Sequence, residues 1–403
     1  MIDTHPFNIV CFATFFKGGD FMRECKAAGC DVILVTKEKM LHEDWPRDVL
    51  DEVFALPNDA PVELYLDLIS HIAKTRMPDR IVALEEFDVV IAALTREHLC
   101  LPGMSSSRAK VFRDKYAMAV NARKGGVRVP EFCAAINNDA INDYLKRVPA
   151  PWVLKPRSDV SAIGIQKLNN ADEVWAAIDI LNQREALRER ASYHVLAQFI
   201  PGEVFHVDSL VYDGRVVFAG VNKYGRPPLQ VAHGGGAYIS QTIPHDSVEK
   251  KKLVDINKRL VKAMRLETGA THAEFIRSDT DGEFYFLEIA ARVGGAYIAD
   301  VLEAASGINL WREWAKLEIA DSRPRLKPRK DHAGIILSLA RQEYPDTTAY
   351  DDPEITYRVK KRHHAGLIMR SPNQERVTEL LNDYAARFEN DFIAVLPPLE
   401  RPE

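Results

Sequence analysis

The sequence predicts an α/β protein: an N-terminal parallel αβα domain, two further α+β units, and a small α+β domain at the C-terminus. Three observations carry that expectation. Residues 7–100 alternate apolar strand-like runs with amphipathic helix-like ones, the pattern of a parallel sheet covered by helices. After residue 100, turn residues punctuate strand-like pairs that read as hairpins. A length of 403 residues gives room for two to three domains.

In the first hundred residues, FNIVCFATFF, DVILVT and DRIVALEE read as strands. FMRECKAAGC, VELYLDLISHIAKT and FDVVIAALTREHL read as helices. The loop Thr14–Asp20 contains Gly18-Gly19 but no GxGxxG, so a dinucleotide site has little support. Ligands of open parallel sheets gather at the carboxyl ends of strands. Glu85 and Glu86 stand there, either to meet a substrate amine or simply to begin a helix.

Leu101-Pro102-Gly103 breaks the chain, and SSSRAKVFRDKYAMAVNARKGG follows as one predicted helix with Ser caps in front and Gly125-Gly126 behind. Lys115 lies on it and, taken alone, reads as a solvated charge. PWVLKPRSDVSAIGIQKL reads as strand, loop, strand. Lys155 ends the first strand, and the loop Arg157–Gly164 offers exposed amides that can cover a phosphate. Gln198-Phe199-Ile200 ends a strand at Pro201-Gly202, where backbone groups are expected to be open to a purine edge.

A hairpin turning at Asp213-Gly214 puts Tyr212 opposite Arg215, with pairs summing to 427. That register places His206, Asp208 and Lys223 on one face and Phe205, Val207, Val211, Val216 and Phe218 on the other. The residues between Thr271 and Arg292 form a second hairpin, with Thr280–Gly282 as a three-residue loop. In that register Glu274 lies opposite Glu288, with His272, Phe284 and Phe286 on their face. Two facing carboxylates in a mostly apolar sheet repel unless something positive lies between them, and open oxygen ligands suit Mg²⁺ that also holds phosphates. Arg292, four residues on, can fork onto a phosphate or carboxylate. The loop His233–Gly236 and the side chain of His272 are further candidates to touch substrate. The Pro- and Arg-rich stretch Asp321–Asp331 is the clearest boundary.

Composition narrows the class. The apolar fraction is 46%, the charged fraction 28% and the net charge −5, so neither nucleic acid nor an anionic membrane is an expected partner. No apolar run reaches the roughly 18 residues of a membrane span. The acidic start, MIDTHPFNIVCFATFF, is unlike a signal peptide. The five cysteines show no CxxC and are expected to be buried, reduced thiols of a cytoplasmic protein.

Lys115, Lys155, AQFIPGE, HAEFI and LEIAARVGG occur in the order and rough spacing of the ATP-grasp superfamily. The chain resembles the carboxylate–amine ligase branch, including L-amino acid ligases. The resemblance implies a pre-ATP-grasp domain at 1–104, an ATP-grasp domain at 105–320 divided at 195/196, and a C-terminal domain at 321–403. It implies ATP and Mg²⁺ as cofactors, with Mn²⁺ as an alternative. Lys115, Lys155, Ser158 and Ser161 would contact the nucleotide phosphates; Gln198 and Ile200 would bond adenine; Glu203 or His206 would bond the ribose, with Lys223 nearby. Glu274 and Glu288 would hold the metal, and Arg292 with Lys155 would serve the acyl phosphate. The partners implied are a small carboxylate and an amine, and the N-terminal domain suggests a homodimer. Many relatives carry Glu-x-Asn at the metal site, whereas Ala290 stands here in place of the Asn.

Overall fold

The computed structural model describes residues 6–158, 164–186, 193–227, 231, 236–320 and 322–394. The chain opens with β1 (Asn8–Phe12), α1 (Gly19–Ala27), β2 (Asp31–Lys37), β3 (Glu52–Leu56), α2 (Val62–Ala73), β4 (Arg80–Ala83) and α3 (Val89–His98). The strands form a parallel sheet in the order β3-β2-β1-β4. β1 is buried along its whole length, as expected of a strand covered on both faces. The edge strand β3 was not anticipated. It is short and mostly half-buried, so it lacks the apolar run that announces β1 and β2.

The single helix expected over 105–126 is two: α4 (Ser106–Val111) and α5 (Lys115–Lys124). Asp114 breaks it by capping α5, its carboxylate accepting from the amides of Tyr116 at 2.9 Å and Ala117 at 3.2 Å. Next come β5 (Phe132–Ala134), α6 (Asn138–Arg147), β6 (Trp152–Pro156), β7 (Gln166–Leu168), α7 (Ala171–Ala186) and β8 (His194–Gln198). Their strands form an antiparallel sheet in the order β5-β8-β6-β7. β8 therefore carries this unit to Gln198, past the expected division at 195.

The remaining elements are β9 (Gly202–Tyr212), β10 (Arg215–Tyr224), β11 (Tyr238–Thr242), α8 (Val248–Met264), β12 (Gly269–Ser278), β13 (Phe284–Ala290), α9 (Ile298–Ser306), α10 (Leu310–Ala320), β14 (His332–Leu339), β15 (Ile355–Arg358), β16 (His364–Ser371) and α11 (Gln374–Asp391). All eight strands belong to one sheet, ordered β13-β12-β9-β10-β11-β14-β16-β15. The Pro-rich connector thus separates chain segments but not sheets. β14 pairs with β11, and the C-terminal residues extend the preceding unit. α11 covers that extension with Leu381, Tyr384 and Phe388 packed against Ile336 and Leu367.

One face of the long sheet lies on α8, with Phe205, Val207, Phe275, Phe284 and Phe286 meeting Leu253, Leu260 and Met264. Elsewhere Leu210, Phe218, Val293 and Leu302 join the core that includes Phe21 and Trp314. No helix among the described residues is long and apolar enough to cross a membrane. Cys11, Cys25 and Cys30 are buried thiols, whereas Cys100 is exposed and Cys133 half-buried, contrary to the expectation of five buried ones. Burial pushes the Cys11 and Cys25 thiols well above the ordinary range, so they are inert packing groups.

Candidate active site

Glu274 of β12 does face Glu288 of β13, but by a different route from the simple hairpin. The loop has four residues rather than three. The Ser278 amide donates to the Glu283 carbonyl at 2.9 Å, and the Gly282 amide to the Ser278 carbonyl at 2.9 Å. Gly282 has φ +69, the left-handed conformation expected of it. This shifts the register by one residue, and a bulge at Leu287 shifts it back before Glu288. Between the two irregularities Phe284 and Phe286 pair with Arg277 and Phe275, on the face opposite the acids. Their rings are buried beside Phe205 and Phe275. Hiding two phenyl groups, at about 1.5–3 kcal/mol each, decides the register that the turn alone left open.

Each acid has its own partners. Tyr224 donates its hydroxyl to Glu274 Oε1 at 2.7 Å, and His272 Nε2 lies 3.5 Å from the same oxygen. Lys115 Nζ stands 3.0 Å from Glu288 Oε2. Lys115 is buried rather than solvated, because it opens α5 and its amide donates to the Arg157 carbonyl at 2.8 Å. Arg157 in turn clasps Asp114 through Nε at 2.9 and 3.1 Å. The capping carboxylate therefore ties Lys115 to the strand that bears Lys155. Asp114→Ala removes the cap and the ion pair together. We expect the protein to lose at least about 1–2 kcal/mol of stability in urea denaturation, with Asp114→Asn recovering the cap but not the Arg157 clasp.

Lys155 sits half-buried at the end of β6, within electrostatic reach of both acids and of Lys115. Burial, and then Lys115, lower its ammonium to about 8, against the attraction of Glu288 and Glu274. Partial loss of water disfavours ionised Glu288, yet Lys115 and Lys155 outweigh it and hold that carboxyl well below the usual carboxylate range. A lysine depressed to about 8 is charged below that pH and neutral above it. The polyphosphate contact that the resemblance implies for Lys155, measured as ATP affinity, is therefore expected to weaken as pH rises through about 8, and Lys155→Arg to remove that limb. A limb unmoved in the arginine variant would assign it to another group.

Arg292 follows β13. Its Nη2 donates to Glu86 at 2.9 Å, its Nη1 to the Val293 carbonyl at 2.9 Å, and Glu85 lies 3.9 Å from Nε. Nε itself is buried and makes no hydrogen bond among the described residues. Glu86 also accepts from Arg113 at 2.6 Å, and Lys17 pairs with Glu85. Burial opposes charge on both Glu85 and Arg292; Lys17 with Arg292 lowers the former, and Glu86 with Glu85 raises the latter. The acidic corner of the first sheet thus grips Arg292 and Lys17 rather than presenting bare carboxylates to an amine.

A family profile described as the ATP-grasp domain matches residues 148–300, which span β6 through the first residues of α9. The chain carries an ATP-grasp domain. An L-arginine-specific L-amino acid ligase of Bacillus subtilis is 24% identical over 274 residues, 67% of this chain and 64% of the relative. The chain thus spans less than two thirds of that protein's length. Among solved structures, an L-amino acid ligase from Bacillus licheniformis superposes with a TM-score of 0.74 at 17% identity, covering 97% of this chain and 99% of the other. The biotin carboxylase domain of Hydrogenobacter thermophilus 2-oxoglutarate carboxylase, solved with MgADP and bicarbonate, gives 0.72 at 15% identity, covering 95% and 90%. At these identities the structural likenesses establish the fold.

Within the ATP-grasp domain and its flanks, Lys115, Lys155, Glu274, Glu288 and Arg292 converge. Other expected residues do not join them. A bulge at Val217 moves the β9–β10 register from 427 to 428, so Lys223 pairs with Phe205 and leaves the His206 face, while Phe218 moves onto it opposite Leu210. Glu203 and Lys223 form an ion cluster with Arg277, whose Nη2 donates to Glu203 at 2.5 Å, on the α8 side of the sheet. His206 is fully enclosed, with Asp208 and Ser240 on its two ring nitrogens, so it has no face to offer a ribose. The amides of Gln198 and Phe199 donate to the carbonyls of Glu131 and Pro151, which withdraws them from a purine edge. Ile200 packs against Val204, Tyr224 and Ile276. Ser158 is exposed, its carbonyl accepting from Arg113 at 2.7 Å, while Ser161 and His233–Gly235 lie outside the described residues. Sequence reading missed Tyr224, which reaches Glu274 across the intervening β9, and Arg113, which links Glu86 to the loop stem. An Asp just before Lys115 was a visible cap signal; nothing in the sequence announces the Tyr224 contact.

Proposed function

We propose that this protein is an ATP-dependent ligase that activates a carboxylate as an acyl phosphate and joins it to an amine, giving an amide with release of ADP and phosphate. The observation that carries the reading is the facing pair Glu274 and Glu288, with Lys115 and Lys155 brought to it from earlier in the chain and Arg292 following β13 within electrostatic reach. The relationship to amino acid ligases supports a dipeptide or related amide as product.

The donor set fits Mg²⁺: two hard oxygen ligands on adjacent strands, one of them strongly acidic, with lysines beside them to share the charge of a triphosphate. Mn²⁺ suits the same oxygens. When bound, the ion supplies charge neutralisation on the transferring phosphoryl group. Lys115 and Lys155 add fixed positive charge on the same side. Arg292, held by Glu86 and the Val293 carbonyl, orients the substrate carboxylate in line with the phosphorus through the remaining protons on its Nη atoms. Once the amine adds to the acyl phosphate, the same guanidinium steadies the tetrahedral oxyanion, and phosphate departs. The substituted Ala290, 6% exposed, offers no oxygen, so two side-chain acids carry the metal.

The decisive experiment incubates the protein with ATP, Mg²⁺ and pooled amino acids, follows ADP release and identifies products by mass. A new amide whose mass equals two substrates less water supports the reading. ADP release without an amide moves the protein to another ATP-grasp reaction, such as carboxylation or thioester formation. Nucleotide binding without any ADP release makes it a non-catalytic binder.

A further inference from the structure

A fully enclosed carboxylate lies close to Glu274 and plays no part in the chemistry above. Asp208, in the interior of β9, has no exposed surface. Its Oδ2 lies 2.6 Å from His206 Nδ1 and its Oδ1 2.8 Å from His272 Nδ1. A carboxylate only accepts, so both rings must carry their protons on Nδ1. That turns His206 Nε2 to Ser240 Oγ at 2.8 Å and His272 Nε2 toward Glu274 Oε1 at 3.5 Å. On the other side, the loop after Arg292 rests directly on this group. A Cβ added at Gly294 would stand 2.8 Å from Asp208 Oδ1 and 3.1 Å from His272 Nδ1.

Three roles fit a buried His–Asp–His set. One is an inert core network. Another is a metal site, since the three residues' ligand atoms lie within 4.8 Å of one another. The third is a brace for something nearby. Contacts of 2.6 and 2.8 Å are hydrogen-bond lengths, and they use on ring protons the nitrogens that a metal would need bare. The two outward connections favour the brace, because they end on the acid assigned to the metal and on the backbone that carries Arg292.

We propose that Asp208 is a positioning residue: through His272 it fixes the Glu274 carboxylate for the cation, and through Gly294 it seats the Arg292 loop. This rests on Glu274 being a metal ligand. Outer partners of metal ligands are typically worth about 10–100-fold in metal affinity. Asparagine at 208 keeps the size but has one acceptor oxygen and no charge, so one histidine must turn or move its proton to Nε2.

The test measures Mn²⁺ affinity by electron paramagnetic resonance in the full chain with ADP present, alongside thermal melts. We expect Asp208→Asn and His272→Gln each to weaken Mn²⁺ binding about 10- to 100-fold, and the double variant to add little further loss because both act through one contact. ADP affinity without metal should move far less. Asp208→Asn that folds and binds Mn²⁺ like wild type overturns the proposal, as does strict additivity in the double variant. If Asp208→Asn does not fold, unchanged Mn²⁺ affinity in His272→Gln overturns it instead. Zinc retained at one equivalent in the purified protein and lost in Asp208→Asn also overturns it, in favour of a buried metal site. Wild type that binds neither ADP nor Mn²⁺ sinks the nucleotide reading itself, a separate outcome that takes this proposal with it.

Discussion

Glu288→Gln is expected to lower amide formation and ADP release by at least about 10³-fold, which is about 4 kcal/mol of transition-state stabilisation, while the protein remains folded. The substitution keeps the shape and one acceptor oxygen but removes the charge that Lys115 and Lys155 hold in place. Glu288 is 37% exposed at its side chain and packs no core, so the fold does not depend on it. What changes is the field. Lys115 and Lys155 already oppose one another, and without the carboxylate their repulsion is less relieved. A moderate fall in melting temperature should therefore accompany the loss of turnover. A variant that turns over ATP at the wild-type rate removes Glu288 from the site and with it the central geometric argument.

The order of the first strands and helices, the Asp213-Gly214 turn and the left-handed Gly282 were legible because each rests on local chemistry. Register was not, because two bulges set it. At Leu287 the bulge compensates for a longer turn, so Glu274 still meets Glu288 although the three-residue loop was wrong. At Val217 nothing compensates, and Lys223 crosses to the far face. The first irregularity answers to burial of Phe284 and Phe286 against α8, and the second puts Phe218 in the core with Leu210 and Val221 on the α8 side with Val207, tertiary demands that alternation along one strand does not encode. The same holds for Lys115. Its sequence context is that of a solvated helical lysine, and only the Asp114–Arg157 clasp, made by residues 43 apart, brings it to Glu288. The role given to His206 failed for a related reason. The resemblance supplied that role, whereas Tyr224 of β10 and His272 of β12 pack on the ring and Asp208 and Ser240 take both its nitrogens. That the C-terminal strands continue the preceding sheet was not legible either, because pairing between β11 and β14 leaves no trace in the connector that joins the segments.

Arg292→Lys is the second large effect, and it separates charge from geometry. The guanidinium is held in fixed directions by Glu86 and the Val293 carbonyl, and in the proposed role its remaining Nη protons meet a carboxylate brought by the substrate. An ammonium supplies the same charge at one point and cannot span them. We expect kcat/KM for the carboxylate substrate to fall by about 10²–10³-fold, with nucleotide affinity little changed, since Lys115 and Lys155 are untouched. Glu85 and Glu86 favour the charged form of Arg292 strongly, so lysine should remain protonated there and the loss cannot be ascribed to a missing charge. Arg292→Ala removes the charge as well and leaves Glu86 with Arg113 and the nearby Lys17 to answer it. That variant should also melt lower, by an amount that Arg292→Lys largely recovers. If lysine instead restores full activity, the residue acts as a simple counter-charge to the acidic corner, and the orienting role assigned to its fork is wrong.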